Sequence, residues 1–131
     1  MKNKTIKTIV LSVFAVMLFS SLLSCKKDDD QPAKTSHKVV FKLEASAGSN
    51  ITTVVYGYDA NATTATSLGG TSWTSPEITV PAGTMTLNIA SGATGANASS
   101  TLKAQIYVDG VLKKEGTSSG AILSASASYQ F

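Results

Sequence analysis

The chain has 131 residues, of which 43% are hydrophobic and 15% are charged, and its formal net charge is +3. Three of its 11 basic residues precede residue 8, so the rest of the chain is electrically balanced, and none of the 11 is an arginine. This composition argues against nucleic-acid binding, because it offers no basic patch. The single cysteine, Cys25, excludes an intramolecular disulfide.

The first segment combines three lysines with a short apolar run, Ile9–Leu23, that ends next to Cys25. The run has about 15 residues, fewer than the ~20 that a membrane-spanning helix needs, and its positive flank is N-terminal. These features resemble a bacterial lipoprotein signal peptide with its lipobox. The resemblance implies that residues 1–24 are removed and that Cys25 is acylated, which anchors the protein to the membrane by lipid. An uncleaved N-terminal anchor helix is the alternative.

Residues 25–37 are predicted to form a flexible acidic tether after the lipidated cysteine. The run 27–30 reads Lys-Asp-Asp-Asp and has no apolar periodicity, and consecutive like charges remain solvated. Its position resembles the export signal of Bacteroidota lipoproteins, which directs them to the outer face of the outer membrane. The expected location is therefore the outer membrane, with the domain exposed at the cell surface. A periplasm-facing anchor is the alternative.

From residue 38 the hydrophobic pattern has a period of two, which is typical of half-buried strands. For example, Met85, Leu87 and Ile89 are predicted to share the buried face of one strand. Strands are predicted over 38–45, 52–58, 77–80, 85–89, 102–108, 111–115 and 121–131. The segments between them are expected to be loops, among them 59–70 (or a weak edge strand), 91–100 and 116–120.

The clearest turn signal is the Asp109-Gly110 dipeptide, which separates two strand-like runs. Asp-Gly supplies the positive φ angles of a two-residue hairpin turn, so a hairpin is predicted that pairs Tyr107 with Leu112. The same register turns Lys113 toward the apolar face. Either Lys113 lies near the sheet edge, or a bulge shifts the register.

About seven strands, without helical periodicity after residue 25, predict an all-β fold. The predicted architecture is a small antiparallel immunoglobulin-like β-sandwich, formed by residues 38–131 after the N-terminal signal helix. The C-terminal Phe131, preceded by alternating apolar residues, resembles the end of an outer-membrane β-barrel. Such a barrel is disfavoured because the strands are few and short and the lipid anchor would be redundant.

Few residues of the predicted domain could carry chemistry. His37, the only histidine, ends the tether and is expected to be a solvated linker residue. The carboxylates lack the spacing of a metal site or of an acid–base pair, so no catalytic residue, metal or cofactor is predicted. Trp73 is the candidate binding residue, because an exposed tryptophan can anchor a partner or stack on a sugar ring. A place in the core or at its rim is the alternative for Trp73.

The stretch Ile106–Glu115, followed by Thr117–Gly120, resembles the C-terminal half of the MmpS family. Those proteins are membrane-anchored accessory proteins of mycobacterial lipid and siderophore exporters. The resemblance implies a small β-sandwich and a transport-accessory role. The two cysteines of that family correspond here to Ala104 and, approximately, Ala127, and both alanines are on faces predicted to point inward.

The predicted function is that of a non-catalytic binding or accessory module, with MmpS-like service to a transporter as one form of it. A protein partner in the cell envelope is expected to contact the unpaired strand edges and the segments 59–72 and 91–101, with Trp73 as an anchor. The alternative is a cell-surface adhesin or glycan-contacting lipoprotein, and a small hydrolase is less favoured still.

Overall fold

The computed structural model describes residues 32–131. The predicted signal peptide, residues 1–24, and the predicted lipidation site, Cys25, lie outside the described residues. Within 32–131 the chain forms no helix. Its strands are β1 His37–Ala45, β2 Asn50–Tyr58, β3 Asn61–Thr66, β4 Ser72–Thr74, β5 Ile78–Val80, β6 Thr86–Thr94, β7 Thr101–Val108, β8 Val111–Ser119 and β9 Ile122–Gln130.

These strands form two antiparallel sheets that enclose one hydrophobic core. Sheet A has the order β4-β1-β7-β8, with β5 also paired to β1, and sheet B has the order β3-β2-β6-β9. The predicted all-β sandwich is therefore confirmed, with nine strands instead of about seven. The likeness to an immunoglobulin domain lies in this two-sheet architecture. In strand order, β1 lies beside β7 and β2 lies beside β6.

The apolar residues that recur at every second position of the strands form this core. In β1, Val39, Phe41 and Leu43 point inward and are fully buried, while Lys42 and Glu44 point outward. A fully buried side chain of this size contributes about 1.5–3 kcal/mol relative to an exposed one. Alternation along each strand therefore explains why the two sheets pack face to face.

Strand β6 follows the same rule, with one exception at its start. Leu87 and Ile89 are buried as predicted, but Met85 is 50% exposed, so its predicted place on the buried face is wrong. The reason is a contact with a distant segment: the carboxylate of Asp59 accepts hydrogen bonds from the backbone N–H groups of both Met85 and Thr86. Met85 consequently precedes the strand and does not follow its alternation.

Two segments predicted to be loops are strand. β6 continues to Thr94 because Ser91 and Ala93 extend its buried face, so only residues 95–100 connect it to β7. β8 likewise continues through 116–119. Residues 61–66 form the edge strand β3, which was the second possibility for that segment. About half of the residues in the two segments predicted as contact surfaces, 59–72 and 91–101, therefore lie in strands.

The β7–β8 hairpin has the predicted turn. Asp109 and Gly110 both have positive φ angles, 50° and 80°, as the favoured two-residue turn requires. Tyr107 pairs with Leu112 as predicted. The register then shifts between Ile106 and Tyr107, so Lys113 is the extra, unpaired residue of a β-bulge. The bulge predicted as one of the two possibilities is therefore confirmed.

The folded domain begins before residue 38. Ala33 is buried, its N–H donates to the carbonyl of Thr84, and its own carbonyl accepts from Gly83 N–H. His37 is the first residue of β1. The last part of the segment assigned to the tether thus packs on the sandwich.

Candidate functional site

The outer face of sheet A, the face turned away from the core, carries a row of apolar and aromatic side chains. Val40, Tyr107 and Leu112 are register neighbours on β1, β7 and β8. The residues that alternate with them along β1 and β7, such as Phe41 and Ile106, are buried in the core. Val40 and Tyr107 are half-buried, and Leu112 is 42% exposed at the sheet edge.

A shallow groove of about 500 Å³ runs beside this row on the β1 side. We call it the Tyr107 groove, and it is lined by Lys38, Val40, Lys42, Glu77, Tyr107, Asp109 and Gly110. Its volume falls within the range of about 300–1,000 Å³ that is typical of small-ligand sites. The groove therefore combines one aromatic ring with charged groups of both signs.

The lysines of the groove already have partners. Lys42 Nζ lies 4.7 Å from the ring centroid of Tyr107, a cation–π contact that contributes about 0.5–1 kcal/mol at an exposed site. Lys38 Nζ donates to Thr79 Oγ1 at 2.8 Å and lies 3.3 Å from Glu77 Oε1. More than half of each side chain in the Lys38–Glu77 pair is exposed, so the pair adds little to stability.

Gln105 lies next to Tyr107 on the same face and is only 6% exposed. Its Nε2 donates to Glu115 Oε2 at 2.9 Å, while its Oε1 is buried and has no hydrogen-bond partner among the described residues. An unsatisfied buried acceptor costs about 1–3 kcal/mol. The register partner of Gln105 on β1 is Lys42, so a side chain that can donate hydrogen bonds starts from the adjacent position of the neighbouring strand.

Asp109, which lines the groove, is hydrogen-bonded to His37 at the start of β1. His37 Nδ1 lies 2.7 Å from Asp109 Oδ2, and the other carboxylate oxygen accepts from Lys38 N–H at 2.9 Å. The hydrogen bond with His37 lowers the pKa of the Asp109 carboxyl, and the Lys38 N–H lowers it further. The His37 ring also stacks on Phe131, with the centroids 5.0 Å apart.

These contacts correct the prediction for His37. Its side chain is 24% exposed and is held by the hairpin and by the C-terminal residue, so it is not a solvated linker residue. Within residues 32–131 its hydrogen-bond partner is Asp109, and no hydroxyl group bonds to its ring. The pair consequently joins the start of β1 to the β7–β8 turn.

Trp73, the candidate residue from the sequence, lies on the other side of sheet A from the Tyr107 groove. It pairs with the buried Leu43 and is half-buried at the rim of the core. Its ring centroid is 5.0 Å from that of Tyr56, which is itself buried. The geometry therefore does not bring Trp73 together with Tyr107.

A second groove, of about 600 Å³, crosses the outer face of sheet B. Its floor is formed by small uncharged residues, with Val55, Ala90 and Ser126 in one register row. Lys114 and Glu115 lie at its margin. It lacks an exposed aromatic ring among its lining residues, so it offers less to a specific ligand than the Tyr107 groove.

The part of the chain that the structure describes contains no cluster of three or more potential metal ligands. It also contains no helix long and apolar enough to cross a membrane. A scan against protein-family models and a search of the curated proteins find no match to this chain.

Sequence reasoning missed the groove although its signal was present. Ile106 and Val108 alternate with Tyr107, and an aromatic residue that alternates with core residues must point outward. The orphaned oxygen of Gln105 could not have been anticipated, because it depends on which side chains cover it in the folded sheet.

Proposed function

We propose that this chain is a lipid-anchored, non-catalytic binding module of the bacterial cell envelope, and that it holds its ligand in the Tyr107 groove. The observation that carries the proposal is the half-buried ring of Tyr107, which lies on an outer sheet face between two lysines and two carboxylates. Ligand sites typically combine an apolar or aromatic surface with a few polar groups that fix orientation. Tyr107 and its charged neighbours have that composition.

The proposed anchor is Cys25, and the proposed location is the outer face of the outer membrane. Among residues 32–131, Ala33 is the first that packs on the sandwich, and it lies eight positions after Cys25. At ~3.3–3.6 Å per residue, these eight steps along the chain reach at most about 29 Å. The groove would therefore be held near the membrane surface.

Metabolic labelling with a clickable fatty acid tests the anchor. The label should enter the wild-type chain and be lost in Cys25→Ala, which should accumulate as the full-length precursor. Ser24→Ala is the control, because a small residue still precedes the cysteine. Equal labelling of wild type and Cys25→Ala would contradict lipidation at this position.

A photo-crosslinking residue in living cells tests the groove. We would place it at Leu112, the register neighbour of Tyr107 on β8, and as a control at Ile122, which is 88% exposed on β9. The expected result is an adduct from position 112 that disappears when Tyr107→Ala is added, with no such adduct from position 122. If position 112 yields no adduct that depends on Tyr107, the proposed function is wrong.

An MmpS-like transport accessory is the second candidate function. Ala104 and Ala127, where that family has cysteines, are both buried, and the Asp109-Gly110 turn that carries the resemblance is formed. This candidate requires a domain that faces the periplasm and a transporter as protein partner. A membrane-impermeant amine reagent distinguishes the two: labelling of the exposed Lys113 and Lys114 in intact cells favours surface display, and labelling only after permeabilisation favours the accessory role.

A further inference from the structure

We infer that the ligand of the Tyr107 groove is a neutral glycan, and that one sugar ring stacks on Tyr107 in the place now taken by the Lys42 ammonium. This inference rests on the proposed function and names its ligand class. A pyranose ring has an apolar C–H face and a rim of hydroxyl groups. Tyr107 supplies the matching aromatic face, while Lys38, Glu77 and Asp109 supply polar groups beside it.

The charge balance of the groove favours a neutral ligand. The lining holds two lysines, Lys38 and Lys42, and two carboxylates, Glu77 and Asp109, so its formal charges cancel. Lys38 lies 3.3 Å from Glu77, and Asp109 accepts hydrogen bonds from His37 and from Lys38 N–H, so both carboxylates already have partners. An ionic ligand would leave one of these groups without its partner. Sugar hydroxyls both donate and accept hydrogen bonds, so they can use ammonium and carboxylate groups without disturbing the pairs.

The Lys42 ammonium must leave the face of Tyr107 before a sugar ring can stack there, and Gln105 offers it a new hydrogen-bond acceptor. The two residues are register partners on adjacent strands and point to the same face, where Cβ atoms are about 4.5–5.5 Å apart. Gln105 Oε1 is a buried acceptor that no donor of residues 32–131 reaches. When a sugar ring occupies the face of Tyr107, the Lys42 ammonium turns to donate to this oxygen, so ligand binding satisfies the orphaned acceptor.

Binding of neutral oligosaccharides to the full lipidated chain tests the ligand class. The chain would be held in a detergent without sugar head groups and titrated with oligomers of glucose, galactose, mannose and N-acetylglucosamine. At least one oligomer should bind, and Tyr107→Ala should weaken it about tenfold, the loss expected for one aromatic stacking contact. Val55→Ala, on the outer face of sheet B, is the matched control and should bind as wild type does.

A double-mutant cycle tests the movement of Lys42. Gln105→Met should weaken binding while Lys42 is present, because the displaced ammonium loses its acceptor, and should have no effect in Lys42→Met. The thermal stability of the free protein is measured for each variant as well, because Gln105→Met also removes the hydrogen bond from Gln105 Nε2 to Glu115. Equal effects of Gln105→Met in both backgrounds would overturn the role given to Lys42 and Gln105.

The outcomes separate this inference from the proposed function. The glycan inference is overturned if none of the oligosaccharides binds, or if Tyr107→Ala and wild type bind equally. A protein adduct captured from position 112 in cells would also overturn it, but would leave the binding module in place. Only the absence of any Tyr107-dependent adduct counts against the module itself.

Discussion

Asp59 and Asp109 secure two different hairpins to the neighbouring strand by the same contacts. Asp59 N–H donates to the carbonyl of Thr86, and Asp59 Oδ1 accepts from Thr86 N–H at 2.9 Å. Asp109 makes the equivalent pair of bonds with the carbonyl and N–H of Lys38. Both aspartates have a positive φ, of 46° and 50°, and both follow the last residue of a strand. One device therefore fixes the start of β6 and the start of β1.

Replacing Asp59 with alanine should destabilise the fold. The change removes the acceptor of two backbone N–H groups, those of Met85 and Thr86. Hydrogen bonds to charged groups contribute about 1.5–3 kcal/mol each in favourable cases, so we expect a loss of about 1–3 kcal/mol for this exposed site. Asp59→Asn is the control, because asparagine keeps the acceptor and tolerates positive φ. Urea unfolding measures both, and equal losses for the two variants would disprove the role of the acceptor.

The pair of Asp109 and His37 should make stability depend on acid pH. Hydrogen bonds from His37 and from Lys38 N–H lower the pKa of Asp109 in the folded state. A lowered pKa means that stability is present above the ordinary aspartate pKa and is lost as the pH falls through the folded value. We therefore expect the free energy of unfolding of wild type to exceed that of Asp109→Asn above the ordinary aspartate pKa, and the difference to vanish as the pH falls through the lowered pKa of Asp109. Urea unfolding at a series of acid pH values measures it.

The control for this pH dependence is His37→Phe. Phenylalanine can still stack on Phe131 but cannot bond to the carboxylate, so the dependence should be weaker than in wild type and stronger than in Asp109→Asn. A constant difference between wild type and Asp109→Asn at every pH would contradict the lowered pKa.

The strand pattern of the sequence determined most of the fold, because alternation decides which face of a strand is buried. Val39, Phe41 and Leu43 follow it, and so do the residues of β9. The predictions that were wrong concern residues whose structure depends on contacts with distant segments of the chain. Met85 leaves the pattern because Asp59 binds its N–H, and residues 116–119 become strand because β7 supplies backbone partners for them.

The candidate site was less predictable than the fold. The alternation of Tyr107 with Ile106 and Val108 is visible in the sequence, but the sequence does not reveal that Lys38, Glu77 and Asp109 also line the groove beside its ring. That convergence requires β5 to pair with β1 and the hairpin turn to bond to Lys38. Trp73 is the candidate binding residue of the sequence, yet its pairing with Leu43 turns its side chain toward the core.

Leu87 and Met85 provide a matched test of burial. Both are large apolar residues near the start of β6, but Leu87 is fully buried whereas Met85 is half-exposed. Leu87→Ala should cost about 2–5 kcal/mol, since it leaves a cavity in the core. Met85→Ala should change stability by less than about 0.5 kcal/mol, as is usual for exposed positions. Chemical denaturation measures both, and similar losses would contradict the placement of Met85 outside the alternation.

Gly116 lets strand β8 approach strand β9, although the two belong to different sheets. A Cβ atom at Gly116 would overlap the carbonyl oxygen of Ser126, and the same two strands are joined by a hydrogen bond of 3.1 Å from Ser124 N–H to Ser118 Oγ. Because the obstacle is backbone, Gly116→Ala must push the strands apart. We expect it to lower the free energy of unfolding by about 1–3 kcal/mol, as overpacking does.

Gly92 is the control for this prediction. It also lies in a strand, but a Cβ atom there would meet the Thr53 side chain at an ordinary contact distance of 3.4 Å. Gly92→Ala should therefore be neutral or slightly stabilising, because alanine reduces the conformational freedom of the unfolded chain. Urea unfolding of the two variants decides the matter: if Gly116→Ala is as stable as Gly92→Ala, the close approach of β8 to β9 at this position is not required by the fold.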